Sequence, residues 1–178
     1  MGAPAPGAVV SVRTRLRPPR PDELAVLQRW HAEPASEFDD LHGGAAPGRR
    51  DAPLREPPRD AGQLVVTDAA DALLGDVGWH TVLYGPNAGS AALSIGISLR
   101  PPARGKGHGT RAQRMLAEYL FTSFPVHRVE ATTDVQNVVE QRALERAGFR
   151  REGVLREAQW RREAWHDLVM YARLRGDG

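Results

Sequence analysis

Cysteine is absent from this 178-residue chain, which removes disulfides, thiolate metal sites and a cysteine nucleophile together. Lysine is almost absent too: of the 24 basic residues only Lys106 is a lysine, so arginine carries nearly all the positive charge. No apolar run approaches the roughly 20 residues of a membrane-spanning helix, and the Gly/Ala/Pro start lacks the basic-then-apolar order of a secretory leader. The chain is therefore expected to be cytoplasmic, with no membrane partner. Its six histidines (His31, His42, His80, His108, His127, His166) are scattered. None pair at the i, i+4 spacing that sets two imidazoles on one helical face, so no metal is expected. A net charge of +2, with no Lys/Arg block interleaved with aromatics, argues against a nucleic-acid partner.

What is present is ordinary globular material, 41% hydrophobic and 26% charged, in a length that suits one core and is short for two. The expected arrangement is one domain over residues 9–175, with flexible termini at 1–8 and 176–178. Val9 to Leu16 alternates apolar and polar residues and predicts a first strand, ended by Pro18 and Pro19. Pro21 opens a helix running to about Ala32, with Asp22 and Glu23 at its positive end. Pro34 to Arg59 is Pro/Gly-rich and too long for an ordinary connection in a compact domain. Gln63–Thr67, Leu73–Tyr84 and Ala91–Leu99, separated by turn residues, predict an antiparallel meander.

Thr110 to Phe121 has Ala112, Met115, Leu116, Tyr119 and Leu120 at helical spacing. Val126–Thr132 alternates like a strand. Strand, helix, strand in that order implies a right-handed crossover and one parallel pair in an otherwise antiparallel sheet. A further helix covers Asn137 to Ala147, stopped by Gly148, and strands follow at Phe149–Arg156 and Trp165–Leu174. The fold class is thus α/β in the α+β sense: a mixed, mostly antiparallel sheet of about seven strands flanked by helices.

The stretch from Arg100 to Thr110 carries the most chemistry. Pro101 and Pro102 end a strand, and Arg104, Gly105, Lys106, Gly107, His108 and Gly109 lead into the amphipathic helix. A helix start offers about four N–H groups without intrahelical partners and a partial positive charge, which suit a pyrophosphate. A flexible turn with solvated cations explains the loop alone equally well. A Walker loop would end in Gly-Lys-Ser/Thr, whereas this one reads Gly107-His108-Gly109-Thr110. A Rossmann fingerprint would follow the first strand of a parallel sheet, and this loop follows a fourth strand in a meander.

Arg104 to Gly109 resembles the Arg/Gln-x-x-Gly-x-Gly/Ala loop of the GNAT N-acetyltransferase superfamily. A second match is similar to that superfamily's Asn-led helix ending in Gly-Phe: Asn137, the helix Val138 to Arg146, and Ala147-Gly148-Phe149. The likeness extends from Leu16 to Leu174 and is nearest the ribosomal-protein N-terminal acetyltransferase-like branch. It implies acetyl coenzyme A as co-substrate, lying where a parallel pair of strands splays apart. Backbone groups of Ile97 and Leu99 and the side of Asn137 would hold the pantetheine arm. Arg104, Gly105, Lys106, Gly107, His108, Gly109 and Thr110 would hold the pyrophosphate. Gly96 would mark a bulge or break in the fourth strand, although a packing glycine beneath a helix explains it equally. The acceptor implied is a small-molecule amine or a peptide N-terminus, with a homodimer as a candidate assembly.

Three proton-handling positions depart from the family pattern. The glutamate often found beside the Ile-Gly pair is Ser94, the tyrosine late in the Asn-led helix is Leu144, and the serine three after the Asn is Glu140. The replacements to weigh are Glu140, His80 and a water held by Ser94. Glu140 also fits a plain helix-start carboxylate completing a capping-box-like pair with Asn137, and His80 an ordinary strand histidine. The tryptophans read mainly as core or loop anchors, one or two of which could wall the acceptor pocket. The 34–59 stretch is expected to lie over the acceptor. The alternative reading of the chain is a catalytically silent acyl-coenzyme A-binding module. A nucleotide-binding switch is a third, disfavoured by the missing Walker ending.

Overall fold

The computed structural model describes residues 13–33, 36–38 and 61–177. Its elements, in chain order, are β1 (Arg15–Arg17), α1 (Pro21–Ala32), β2 (Gly62–Thr67), β3 (Leu73–Leu83), β4 (Ala91–Leu99), α2 (His108–Ser123), β5 (Arg128–Asp134), α3 (Val138–Arg146), β6 (Arg150–Arg161) and β7 (Ala164–Leu174). They form one seven-stranded sheet in the order β1-β2-β3-β4-β5-β7-β6, antiparallel throughout except for the β4–β5 pair. This is the mixed sheet expected from the sequence.

α2 crosses from β4 to β5 and buries Ala112, Gln113, Leu116, Ala117 and Leu120. Its apolar members pack with Leu93, Ile95 and Val129 in one core cluster with Leu144, Phe149 and Tyr171. The buried stripe is therefore rotated from the expected one, and Tyr119 is 42% exposed. Its ring meets the edge of Trp79 at 5.8 Å between centroids. Trp30 lies beneath Arg100, and Trp160 and Trp165 stack edge to face. At the start of the chain, Arg17 clamps Glu23 through Nη1 at 2.7 Å and Nη2 at 2.6 Å and donates from Nε to Asp71 at 2.8 Å. That clamp fixes α1 to β1 and to the β2–β3 turn, and it holds the Glu23 carboxyl down at about 2.

Several boundaries differ from the sequence expectation, and four of them carry the larger changes. Of the expected first strand, Val9 to Ser11 and Val12 lie outside the described residues and pairing with β2 covers Arg15 to Arg17. α2 begins two residues early, at His108, so the last residues of the glycine loop form its first turn. β5 begins at Arg128, since the Val126 carbonyl is taken by Arg175 Nε. β6 continues to Arg161 through an irregularity after Leu155, where Glu157 takes φ +48° and donates its N–H to Asp167 Oδ1 at 2.7 Å. The β6–β7 turn places Arg162 and Glu163 at positive φ, a hairpin geometry that Asn and Gly usually signal and that this sequence leaves unmarked.

Leu116 is fully buried at the centre of the cluster. Leu116→Ala should cost roughly 2–5 kcal/mol, as transfer and cavity terms add. A denaturant midpoint unchanged from the parent would show that α2 does not anchor this core.

Candidate active site

The site begins with a mismatch between two strands. β4 pairs with β3 along its whole length without a register shift, from Ala91 to Leu99, but it pairs with β5 only at Leu93 and Ser94. The bulge expected at Gly96 is therefore absent on the β3 side, where Gly96 lies opposite Gly78. The break is in the pairing with β5. A Cβ built on Gly96 would meet nothing within 4 Å, so this glycine is not packed beneath a helix.

The ladder also sets which backbone groups face the gap. Arg100 N–H donates to Leu74 O at 2.9 Å, so alternate residues of β4 bond to β3 and the ones between turn their N–H and C=O to the other edge. Those residues include Ile97 and Leu99, whose backbone groups look toward β5 beyond the point where β5 has left. The Leu99 carbonyl accepts from Arg104 Nε at 2.8 Å, which folds Arg104 back beside the gap.

The gap widens into a groove of about 1010 Å³ that ends on the N-terminus of α2. Gly105 and Gly107 turn the chain with φ of +71° and +79°, a region L side chains enter at a cost. Gly107 is the N-cap and supplies no side-chain cap. The first intrahelical bond runs from Arg111 N to Gly107 O, leaving the N–H groups of His108, Gly109 and Thr110 without an intrahelical acceptor. A Cβ on Gly109 would point at Leu99 Cδ1, 3.6 Å away, and Ile97 Cδ1, 4.0 Å away. The cradle is therefore open backbone of positive partial charge, the form that takes a phosphate.

The groove brings together Ile97, Leu99, Arg104, Gly105, Gly107, Gly109, Thr110, Asn137 and Glu140 from the sequence expectation. Lys106 is exposed between two lining glycines. His108 is buried away from the groove, with Nδ1 3.0 Å from Thr14 Oγ1. Burial there, and next the charge of Arg111, push its pKa down. Ser94 and His80 face each other across β4 and β3, one residue out of phase with core-facing Leu93 and Ile95, so they stand on the sheet face away from α2. Neither lines the groove.

Asn137 caps α3 by accepting from Glu140 N at 3.3 Å. The reciprocal half of a capping box is not made, since Asn137 N–H goes to Asp134 O at 3.0 Å. That leaves the Glu140 carboxyl to the groove rather than to the helix start. Burial raises its pKa to about 7, with the Gln113 amide on α2 pulling the other way.

One remaining wall comes from the stretch expected over the acceptor, and another was not expected from the sequence. Ser36, Glu37 and Phe38, the described part of the 34–59 stretch, line one side, and Arg161 lies over the Phe38 ring at 5.6 Å. Asp134 also lines it, with Arg161 Nη2 at 2.6 Å and His166 Nδ1 at 3.3 Å. Burial opposes the Asp134 charge, but the Gln136 N–H and Arg161 outweigh it and hold the carboxyl below its usual range. No tryptophan lines the groove. A pair of acidic and basic residues far apart in the chain carries no sequence signal, so this cluster was not legible before folding. Among the described residues no group of His, Asp or Glu could hold a metal, and no helix is long and apolar enough to cross a membrane. A second, wide-open hollow of about 490 Å³ lies at the other end of α2, where Arg175 fills the carbonyls of Phe121 and Phe124.

The family model of the acetyltransferase (GNAT) domain matches residues 13–150. The chain belongs to the GNAT acetyltransferase family. It is 32% identical over 113 residues to the probable N-acetyltransferase YjcK of Bacillus subtilis, covering 64% of this chain and 61% of that protein. The chain thus matches about six tenths of that relative's length. Among solved GNAT structures, ribosomal-protein-S5-alanine acetyltransferase from Vibrio fischeri matches with a TM-score of 0.58 and 25% identity, over 66% of this chain and 63% of that one. Spermidine N-acetyltransferase from Vibrio cholerae, solved with coenzyme A and spermine, shares the fold at a TM-score of 0.68 and 21% identity, over 92% of this chain and 96% of that one.

The raised Glu140 carboxyl has a consequence for the fold. Between its ordinary value of 4.5 and about 7 the folded protein holds a proton that the unfolded chain has released. Stability from this group is therefore present in full below 4.5 and falls as pH rises through about 7, by about 3 kcal/mol in total. Glu140→Gln should remove that fall from the denaturant midpoint plotted against pH. A variant curve that follows the parent across this window would assign the proton elsewhere.

Proposed function

We propose that this GNAT chain transfers the acetyl group of acetyl coenzyme A to a primary amine, either of a small molecule or of a peptide N-terminus, with Glu140 accepting the amine proton. The reading rests above all on the parting of β4 from β5 after Ser94, which opens a groove onto an uncapped, glycine-rich helix start. Residues present fit the co-substrate: a side chain at Gly109 would project toward Leu99 and Ile97 of the groove, Gly105 and Gly107 make the positive-φ turns before the helix, and Arg104 and Lys106 add positive charge beside them. N–H groups of Gly109 and Thr110 would hold the pyrophosphate, and backbone groups of Ile97 and Leu99, with Asn137 opposite, the pantetheine arm.

Acetyl coenzyme A, when bound, supplies a thioester carbonyl open to attack by an amine. The chain's own part is to align that carbonyl, exclude water and take the proton from the incoming ammonium. Glu140 is suited to the last step because burial places its titration near neutrality, where a carboxylate is both present and basic enough to accept a proton. Leu144 is 1% exposed in the core and donates no proton. Ser36, Glu37, Phe38 and Asp134 line the same groove, which supports assigning the acceptor to that side. Named amines of the relatives, spermidine and a ribosomal-protein alanine, frame the acceptor panel.

Binding is tested most cleanly at Gly109. Gly107→Val would add backbone strain at φ +79°, whereas a side chain at Gly109 projects toward Ile97 and Leu99 inside an ordinary helical turn. Acetyl coenzyme A should bind the parent in the micromolar range usual for enzyme substrates, and calorimetry on folded Gly109→Val should detect no binding. Unchanged affinity would refute the phosphate assignment. Activity is read as free-thiol release from acetyl coenzyme A across polyamines, amino sugars, amino acids and N-terminal peptides. With a turned-over acceptor, the rate should rise with pH through about 7, as Glu140 ionises. Glu140→Gln should lower turnover about 100-fold or more, with coenzyme A affinity nearly intact. Turnover within a fewfold of the parent, on an unchanged pH profile, would leave Glu140 as a helix residue without a chemical role.

A further inference from the structure

Gln113 is a buried amide on the helix that borders the groove. It sits on α2 among Ala112, Leu116 and Ala117 and is 1% exposed. Neither its Oε1 nor its Nε2 makes a well-formed hydrogen bond, although the amide stands near enough to the Glu140 carboxyl to favour its charged form. A buried amide without well-formed hydrogen bonds costs stability that an apolar side chain of the same shape would not. Among the described residues, other buried unpartnered side-chain atoms belong to Thr67, Trp79 and Arg161, and none of these lines the groove. Gln113 does. Helical side chains lean toward the N-terminus over the preceding turn, and Nε2 lies 4.0 Å from the position of a Cβ on Gly109 one turn earlier. The amide thus lines the groove beside the glycine-rich start of α2.

Glu140, at the third position of α3, lines the same groove, and its carboxyl is influenced by the Gln113 amide. The geometry of the helix start frees that carboxyl from capping, since Asn137 N–H is satisfied by Asp134 O. We infer that Gln113 is a positioning residue that holds the Glu140 carboxylate toward the groove across the α2–α3 interface, so that the two side chains work as one proton-accepting unit. The inference rests on the proposed role of Glu140 as base. The Gln113 amide N–H favours the charged carboxylate already in the ligand-free protein, engaging one carboxylate oxygen and leaving the other for the ammonium proton. Proton balance is simple: the proton passes from the ammonium nitrogen to Glu140, and Gln113 neither gains nor loses one.

Burial and the Gln113 amide are the two causes acting on the Glu140 carboxyl. The charged side chains sharing the groove are Glu37 from the 34–59 stretch, Arg104 from the loop before α2, Asp134 at the end of β5 and Arg146 at the end of α3. None of them is among those causes. Asp134 is paired with Arg161, and Arg104 donates to the Leu99 carbonyl. Gln113 is therefore the group whose loss should move the carboxyl's titration, and the sign is fixed, because removing a donor to the charged form raises the pKa.

The test uses Gln113→Met, which keeps the shape and removes the amide. The Glu140 carboxyl is followed by carbon NMR in the ligand-free protein, assigned by its disappearance in Glu140→Gln, and the pH profile of turnover is measured beside it. Both midpoints should move up by about half a pH unit or more, while KM for acetyl coenzyme A stays within about twofold. Gln113→Asn, which withdraws the amide by one methylene, carries the same expectation should the methionine variant fail to fold. Midpoints that stay in place overturn the inference. A raised KM with unmoved midpoints also overturns it and assigns the amide to holding the co-substrate. Glu140→Gln separates the two readings. A turnover profile keeping its acidic limb in that variant removes Glu140 as base, whereas a lost limb with unmoved midpoints in Gln113→Met removes only the role of Gln113.

Discussion

The rest of the site depends on one unmade set of hydrogen bonds. β4 is satisfied on its β3 edge along its length, but its other edge meets β5 only at Leu93 and Ser94. Beyond that point the backbone groups of Ile97 and Leu99 have no strand to pair with, and the Leu99 carbonyl takes Arg104 Nε instead. The groove is the volume that results, and its walls are the two helices that cover the parted strands.

That same parting explains why the α2 N-terminus can serve a ligand. A helix start inside a continuous α/β layer would be filled by the adjoining strand connection. Here the connection is a glycine-rich turn with two positive-φ residues, and it draws the chain around the helix end without covering it. The positive end of α2 and the open edge of β4 then face one space, so a single extended molecule could satisfy both. Arg175 makes the contrast at the other end of the helix, where its guanidinium fills the free carbonyls of Phe121 and Phe124.

Opposite the cradle, the groove trades core stability for polarity. Glu140 titrates near neutrality because burial opposes its charge, and Gln113 is buried without a well-formed hydrogen bond. Both departures lie on the facing sides of α2 and α3. The Asp134–Arg161 pair is different in kind, since its charges are mutually satisfied and its carboxyl is held ionised. It ties the end of β5 to the β6–β7 hairpin beside Phe38.

Much of this was legible before folding. Alternation along β2, β3, β4 and β7 gave strands close to those found, because period-2 burial leaves a local mark. The strand-helix-strand order around α2 carried the parallel pair, and the loop from Arg104 to Gly109 and the helix led by Asn137 carried the family. Other features were invisible for a common reason, which is that they depend on residues brought together from distant positions. Gln113 reads as a polar residue on a helix until Glu140 arrives from α3 to face it. Asp134 gains its meaning from Arg161 across the sheet, and Phe38 from the groove beneath it. His80 and Ser94 are attractive as chemistry, yet the pleat turns them to the far face of the sheet, a matter of one residue in register. Sequence determined the elements, their order and the phosphate-like loop, since each is written in local spacing. Which side chains share a cavity was decided by the tertiary structure alone, because burial and register set where a carboxyl meets its partner.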